Sequence, residues 1–305
     1  MPDKKIKIIV NPNADFGRGY HSAAELRPVI EEFGGADWAG TVYPTHAVEL
    51  AKSAAQEGYK IIVAAGGDGT IHEVVNGLMQ IPAESRPQLG VVPIGSGNDF
   101  SHSLGMDTRP AYALRQILTG QVHKIDVGHV SDDHGRSEYF SNATGIGFDA
   151  TVGFRFRKMK FLRGFLGYLV AVIQTVMIDN DAPVLKITTD NQSWEEGTLM
   201  LVICNGPREG GGFMVAPDAL SDDGVFNYAS ICQVSRFMMF RLIPEVMKGT
   251  HGRFSQVRMG KLTRIDLESD RPLSIHMDGE IFSGIGVDVR KLSLEIIPAA
   301  IEVVS

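Results

Sequence analysis

The run Gly66-Gly67-Asp68-Gly69-Thr70 constrains this chain more than any other segment. An apolar run, Ile61-Ile62-Val63-Ala64-Ala65, precedes it, and the helix-periodic stretch Ile71-His72-Glu73-Val74-Val75-Asn76-Gly77 follows it. A buried strand that enters a glycine turn and leaves as a helix offers free backbone N–H groups at the helix start, and glycine lets a phosphate approach that backbone closely. Asp68, inside the turn, would repel a phosphate unless a cation lay between them, so the segment points to a metal–nucleotide site. A plain strand-to-helix turn with a capping residue has the same local pattern and, for this run alone, is the simpler reading.

The first third of the chain repeats the rhythm. Strand patterns occupy residues 6–10, 40–43, 60–65 and 89–93, with helix patterns at 22–33, 46–57 and 70–79. Such alternation predicts a parallel sheet with helices on its faces. Ligands of these sheets bind beyond the carboxyl ends of the strands, which singles out the loops 11–19, 66–70 and 94–99. After about Asp126 the texture changes. Strand patterns cover 137–142, 184–189, 198–204, 225–232, 254–259, 263–268 and 273–277, interrupted by helical stretches at 151–177 and 235–248. This predicts an antiparallel sandwich or barrel-like second domain, and 305 residues suit two domains. A last strand pattern, 292–297, fits either domain.

Hydrophobic residues make up 44% and charged residues 21% of the chain, enough for an ordinary globular core. The net charge of −7 argues against a general nucleic-acid binder, which would carry a basic surface. Cys204 and Cys232 lie in apolar runs and read as small buried hydrophobes. The N-terminal lysines are not followed by an apolar stretch, so no signal peptide is expected. The longest apolar stretch, 165–178, contains Gln174 and is too short for a membrane span. A soluble, cytoplasmic protein is the expectation.

A second glycine turn ends another strand: Leu89-Gly90-Val91-Val92-Pro93-Ile94-Gly95-Ser96-Gly97-Asn98-Asp99-Phe100, with Asn98 and Asp99 as helix-cap residues. Two such turns on one sheet could converge on one ligand. Acidic clusters follow at Ser221-Asp222-Asp223-Gly224 and Met277-Asp278-Gly279-Glu280. Read locally, each is a solvated turn, because Asp-Gly is a strong hairpin signal. Gly145-Ile146-Gly147-Phe148-Asp149-Ala150 mimics a dinucleotide fingerprint, but no parallel strand with an acid follows at the required distance. There is no Walker A sequence, and no histidine spacing suits a metal.

These segments, taken in order, resemble a known family. Asn11-Pro12, Gly66–Thr70 with Glu73 to Gly77, Gly95-Ser96-Gly97-Asn98-Asp99-Phe100, Asn205-Gly206-Pro207 with Gly210-Gly211-Gly212-Phe213 and Ala216-Pro217, Asp222-Asp223-Gly224 and Asp278-Gly279-Glu280 are together similar to the diacylglycerol kinase catalytic-domain family, which includes sphingosine kinases and bacterial lipid kinases. The likeness spans essentially the whole chain. It implies an ATP-binding α/β domain of residues 1–126 plus 290–305, and a β-sandwich lipid-substrate domain of residues 127–289. It also implies a kinase that uses ATP and Mg²⁺ to phosphorylate a lipid alcohol, diacylglycerol before others.

By this resemblance Gly66, Gly67, Gly69 and Thr70 contact the nucleotide phosphates. Asn11, Glu73, Gly95, Ser96, Gly97 and Asn98 complete the nucleotide site. Asp278 is the general base, and Glu280, Asp68 and Asp99 organise Mg²⁺ and its waters. Asp223, with backbone carbonyls nearby at Leu220 and Val225, holds a structural cation. The residue types suit phosphoryl transfer, which needs positioning and charge neutralisation, and a carboxylate that can take the proton of an alcohol. Replacing Asp278 by Asn is expected to abolish transfer and leave the fold intact.

Four departures mark the chain: His72 for Asn, Ser96 for Thr, Ser101-His102 for Ala-Arg, and Asn227 for Asp. The missing arginine removes a cation near the phosphates. Two other readings stay open, an NAD kinase, which shares the Gly-Gly-Asp-Gly-Thr turn, and a nucleotide- or lipid-binding regulator without turnover. Basic and apolar side chains mix at 155–163 and 236–243, as at a transient contact with a membrane surface, although a helix packing on a sheet has the same composition. Residues 165–178 could wall an acyl site. Sheet edges in the second domain could pair two copies into a homodimer.

Overall fold

An unbroken apolar strand makes the first sheet. In the computed structural model, which describes residues 5–305 except 18, 160, 161, 163, 180, 181 and 285, β3 (Ile61–Gly66) is buried at all six residues. A parallel strand covered on both faces requires that pattern. Its neighbours are β1 (Ile6–Val10) and β4 (Gln88–Pro93). β2 (Asp37–Gly40) pairs with β1, and the end of β15 (Lys291–Val304) pairs with β4, all in parallel. The order β2-β1-β3-β4-β15 reverses direction between β1 and β3, the switch point at which open α/β sheets bind ligands. This unit comprises residues 1–127 and 298–305.

Helices α1 (Ala14–Gly17), α2 (Gly19–Glu32), α3 (His46–Gln56), α4 (Asp68–Met79), α5 (Asp99–Ser103) and α6 (Pro110–Thr119) fill the connections. They pack as two pairs, α2 with α6 and α3 with α4. Ala47, Ala51 and Ala54 form the buried stripe of α3. α4 meets it at Gly77, where a Cβ would lie 2.5 Å from the Val48 carbonyl and 2.8 Å from the Ala51 Cβ.

The second unit, residues 128–297, is a β-sandwich with helices on one side. The chain enters it along β5 (Val122–Asp132), followed by β6 (Ser137–Phe140), β7 (Ala143–Gly147), α7 (Phe148–Lys158) and α8 (Gly164–Ile178). Then come β8 (Val184–Thr189), β9 (Ser193–Cys204), β10 (Phe226–Cys232), α9 (Arg236–Lys248), β11 (Val257–Leu262), β12 (Arg264–Ser269), β13 (Ile275–Met277) and β14 (Glu280–Ser283). One sheet runs β14-β13-β7-β9-β10-β11; β8 and β12 belong to the other, joined antiparallel to the first half of β15. β9 serves both, pairing β8 through residues 193–197 and then β7 and β10.

Period-two alternation decides which layer each side chain enters. Leu201 and Ile203 on β9, with Phe226 and Tyr228 on β10, point into the core between the sheets. Met200, Val202 and Cys204, with Ala229 and Ile231, point to a second core under α7, α8 and α9. Cys204 and Cys232 are free thiols, and burial pushes Cys204 well above the usual thiol range, as expected of a core residue.

The sequence reading of one helix at 151–177 is corrected to two. Met159 turns extended at the end of α7, and Gly164 opens α8 at a φ of 54°, a left-handed conformation that interrupts the helix. The pattern at 137–142 is β6 for its first four residues and a bend at 141–142 before β7, and β5 gave no sequence signal of its own. Position 290 immediately precedes β15, a strand whose two halves belong to different units. Replacing Gly77 by Val should lower stability by about 1–3 kcal/mol through overpacking of α3 on α4. A fall in the urea midpoint with an unchanged circular dichroism spectrum would check it.

Candidate active site

The two glycine turns touch. They leave neighbouring strands, and the Ile94 amide donates to the Gly66 carbonyl at 2.8 Å. A Cβ on Gly95 would collide with the Gly67 Cα, and one on Gly66 with the Thr70 side chain, so only glycine permits the approach. Gly67 is the N-cap of α4, so the positive end of that helix faces the turn. Asn11 reaches across the switch point, donating from Nδ2 to the Thr70 hydroxyl at 3.1 Å. Asn98 holds the second turn closed. It adopts a φ of 53°, accepts from the Gly95 amide at 2.9 Å and donates to the Gly95 carbonyl at 2.7 Å. Its side chain therefore closes the loop and does not cap α5. Ser96 is exposed beside it.

Asp68 and Asp99 flank Gly97. Their nearer oxygens lie 3.0 and 3.5 Å from where a Cβ on that glycine would stand. Asp68 also accepts the Phe100 amide at 3.2 Å. Two carboxylates beside a residue with no side chain form a hard oxygen donor set, which suits Mg²⁺. Glu73 has a different place. Its oxygens accept the Thr45 and Ala47 amides at 2.8 and 3.0 Å, so it caps the start of α3. Of the departures, His72 is buried on α4, where the Asn76 amide nitrogen bonds its carbonyl, and His102 is exposed on α5.

In the second unit Asp278 and Gly279, with φ values of 49° and 82°, form the two-residue turn between β13 and β14. The hairpin turn and the carboxylate that the resemblance assigns as base are thus one feature. Asp278 is buried, and its oxygens accept the amides of Ser141, Asn142 and Ala143 at 2.8–3.1 Å and the Ser141 hydroxyl at 3.2 Å. In this cradle an Asp278→Asn amide nitrogen would face backbone donors, which costs stability. Glu280 is half exposed and paired with Arg157 at 2.6 Å. Asp223 accepts the Lys261 ammonium at 2.9 Å and the Val225 amide at 3.3 Å; Leu220 is exposed nearby in sequence. Lys261 already supplies positive charge to this carboxylate, so the structural cation implied by resemblance fits poorly here.

Residues 5–130 match the diacylglycerol kinase catalytic domain, and residues 142–305 match the YegS C-terminal NAD kinase beta sandwich-like domain. The chain is 30% identical over 285 residues to the diacylglycerol kinase of Bacillus subtilis (strain 168), covering 91% of this chain and 90% of that one. The chain belongs to the diacylglycerol kinase catalytic-domain family of lipid kinases. A diacylglycerol kinase of Mycobacterium tuberculosis (strain ATCC 25618 / H37Rv) is 26% identical over 310 residues, covering 98% of this chain and 94% of that one. The fold is shared with a crystal structure of a diacylglycerol kinase from Bacillus anthracis str. Sterne, at a TM-score of 0.75 and 22% identity, covering 99% of this chain and 96% of the other.

This lipid kinase family member has a second polar centre that sequence reasoning missed. His276 Nε2 lies 2.7 Å from Asp149 and 2.8 Å from Glu209, and Tyr168 donates its hydroxyl to Asp149 at 3.1 Å. The Gly145 motif belongs here. A Cβ at residue 145 would strike both Asp149 and His276, so that glycine makes room for the buried pair. β7, which carries it, is antiparallel to both neighbours, which excludes a dinucleotide fold. The only available signal was Asp149 itself, an acid in an apolar stretch.

Burial alone would lower the His276 pKa, but the charges of Glu209 and Asp149 hold it well above the usual imidazole value. Burial likewise opposes the charge on Asp149, and His276 outweighs it, holding that carboxyl below the usual range. The Gly279 amide, at 3.3 Å from Nδ1, favours a neutral ring; the two shorter carboxylate contacts decide the charge. The histidine's contribution to stability is therefore full below about pH 6.5 and is lost as pH rises through its raised folded value. Asp149 contributes fully above about pH 4 and loses that contribution as pH falls through its lowered value. Urea melts of the wild type and His276→Gln should show a stability gap that is wide at about pH 6 and narrows in alkali. A gap independent of pH would mean a neutral ring.

Proposed function

We propose that this chain transfers the γ-phosphoryl group of ATP, with Mg²⁺, to the hydroxyl of a lipid alcohol, converting diacylglycerol to phosphatidic acid. The observation that carries the reading is the contact between the Gly66-Gly67 and Gly95 turns at the switch point of the parallel sheet, with Asp68 and Asp99 beside it. Gly66, Gly67, Gly69 and Thr70 are assigned to the phosphates, and Asn11, Gly95, Ser96, Gly97 and Asn98 to the frame of the nucleotide. Glu73 acts by fixing the start of α3. Asp68 and Asp99, with Glu280 assigned by resemblance, would hold Mg²⁺, which supplies charge neutralisation to the phosphates.

In the transfer, the lipid hydroxyl oxygen attacks the γ-phosphorus. Its proton passes to Asp278, and the bond to the bridging oxygen breaks to release ADP. At least four donors meet Asp278, enough to engage the lone-pair sites of a carboxylate. Of these four the Ser141 hydroxyl is the longest contact and the one free to rotate, so the substrate hydroxyl takes its place. A cavity beneath α8 and α9, walled by Val172, Val176, Phe213 and Leu242, has the apolar lining that acyl chains need. Leu166 and Met177 on α8 and Phe237 on α9 are exposed, with Arg236 next to Phe237, and suit transient contact with a membrane surface. Lys160, Phe161 and Arg163 of the basic segment lie outside the described residues. Among those described, no helix is long and apolar enough to cross a membrane.

Labelled-phosphate transfer from ATP to lipid alcohols in mixed micelles, with NAD as a parallel acceptor, tests the reading. Product on NAD alone would replace it with an NAD kinase. Asp278→Asn should lower transfer by about 10²–10⁴-fold and stability by about 1–3 kcal/mol, with nucleotide binding retained. Wild-type transfer by that variant would end the base assignment. Gly95→Ala should weaken ATP binding at least tenfold, because its Cβ drives the two turns apart, and calorimetric titration checks this.

A further inference from the structure

The buried cluster of Asp149, Glu209 and His276 and the apolar cavity are one site. Asp149, Glu209 and Tyr168 line the cavity, whereas Phe148, Leu199 and Met239 represent the rest of a wall that is otherwise apolar. Asp149 and Glu209 share His276, and Tyr168 bonds Asp149, so every polar group of the lining gathers at one place. The imidazole itself is 2% exposed and stands behind the two carboxylates.

Carboxylates only accept hydrogen bonds. With the ring protonated, the three side chains sum to one negative charge. A hydroxyl group entering the cavity can donate to Asp149 or Glu209. An ester carbonyl meets only the Tyr168 hydroxyl, which already donates to Asp149, and a phosphate meets charge of its own sign. At a separation of about 5 Å and an effective dielectric of about 20, such a like-charge contact weakens binding by roughly 200-fold. The same three residues have metal-ligating chemistry. Their contacts of 2.7 and 2.8 Å enclose a proton, however, whereas tetrahedral zinc would hold its ligand atoms about 3.3 Å apart.

We propose that Asp149, Glu209 and His276 form a charge filter, which admits lipids whose polar group donates a hydrogen bond and excludes anionic lipids, the phosphorylated product among them. The inference rests on the lipid-kinase reading for the meaning of "product". It narrows the substrate class to neutral or cationic lipid alcohols. A lipid alcohol that already carries a phosphate is excluded, and the product is expelled once its charge appears.

The test is direct binding to the full chain without nucleotide, using three monomeric short-chain probes: dioctanoylglycerol, its phosphate monoester and its acetate ester. Dioctanoylglycerol should bind at least about tenfold more tightly than either of the others. Glu209→Gln, nearly isosteric and one charge poorer, should retain alcohol binding and narrow the alcohol-to-phosphate ratio by at least about threefold. Equal binding of alcohol and phosphate to the wild type would overturn the filter without recourse to any variant. So would an unchanged ratio in a folded Glu209→Gln protein, or failure of all three probes to bind. Transfer assays run in parallel separate the two claims. Lipid phosphorylation without discrimination sinks the filter alone, and discrimination without phosphorylation of any lipid sinks the kinase reading alone.

Discussion

Two backbones that meet with no side chain between them set the geometry of the first unit. Gly67 and Gly95 lie just past the ends of adjacent strands, and the β3–β4 register runs up to Gly66 opposite Pro93. Any Cβ at Gly95 would force the turns apart. Their contact determines where Asp68 and Asp99 stand relative to each other, and it holds the start of α4 over the switch point. Asn98 accepts a left-handed conformation, which is unfavourable for most residues, and offsets the cost with two hydrogen bonds back to Gly95. Glu73 performs a related task one element away, satisfying the amides that open α3.

The second unit is organised by a buried charge. An imidazolium between two carboxylates is costly to desolvate, and the structure answers with short contacts, a tyrosine hydroxyl and the space left by Gly145. β13 links this cluster to the Asp278 turn, because His276 and Asp278 sit two residues apart on the same strand end. Alternation on β9 and β10 then separates the two cores, leaving the helix-covered side to enclose a cavity.

Legibility in the sequence followed the range of the interactions. β3, its glycine turn and α4 were readable because a buried parallel strand, a phosphate-type turn and a helix start are each written in consecutive residues. β5 was not, since its exposed first residues and buried later ones show no single period. The helix at 151–177 looked continuous because apolar content does not reveal where Gly164 adopts a positive φ. Asp278 read locally as a turn and by resemblance as a base. It occupies a type of turn that hairpins favour, and its carboxylate reaches residues 141–143, so neither reading displaced the other. At Asp223 the resemblance implied a cation, whereas a partner in the structure is Lys261, supplied by β11.

By itself the sequence determined the class of each unit, the glycine turns that follow two of its strands and the family, because these depend on local periodicity, on glycine's lack of a side chain and on the order of short motifs. Only the tertiary structure decided which charges meet. The pairing of Asp149 and Glu209 with His276, the donors from residues 141–143 on Asp278 and the capping role of Glu73 join residues that are distant in the chain. Electrostatic and hydrogen-bond partners act across space over a few ångströms. No spacing along the chain encodes that distance until the strands are paired.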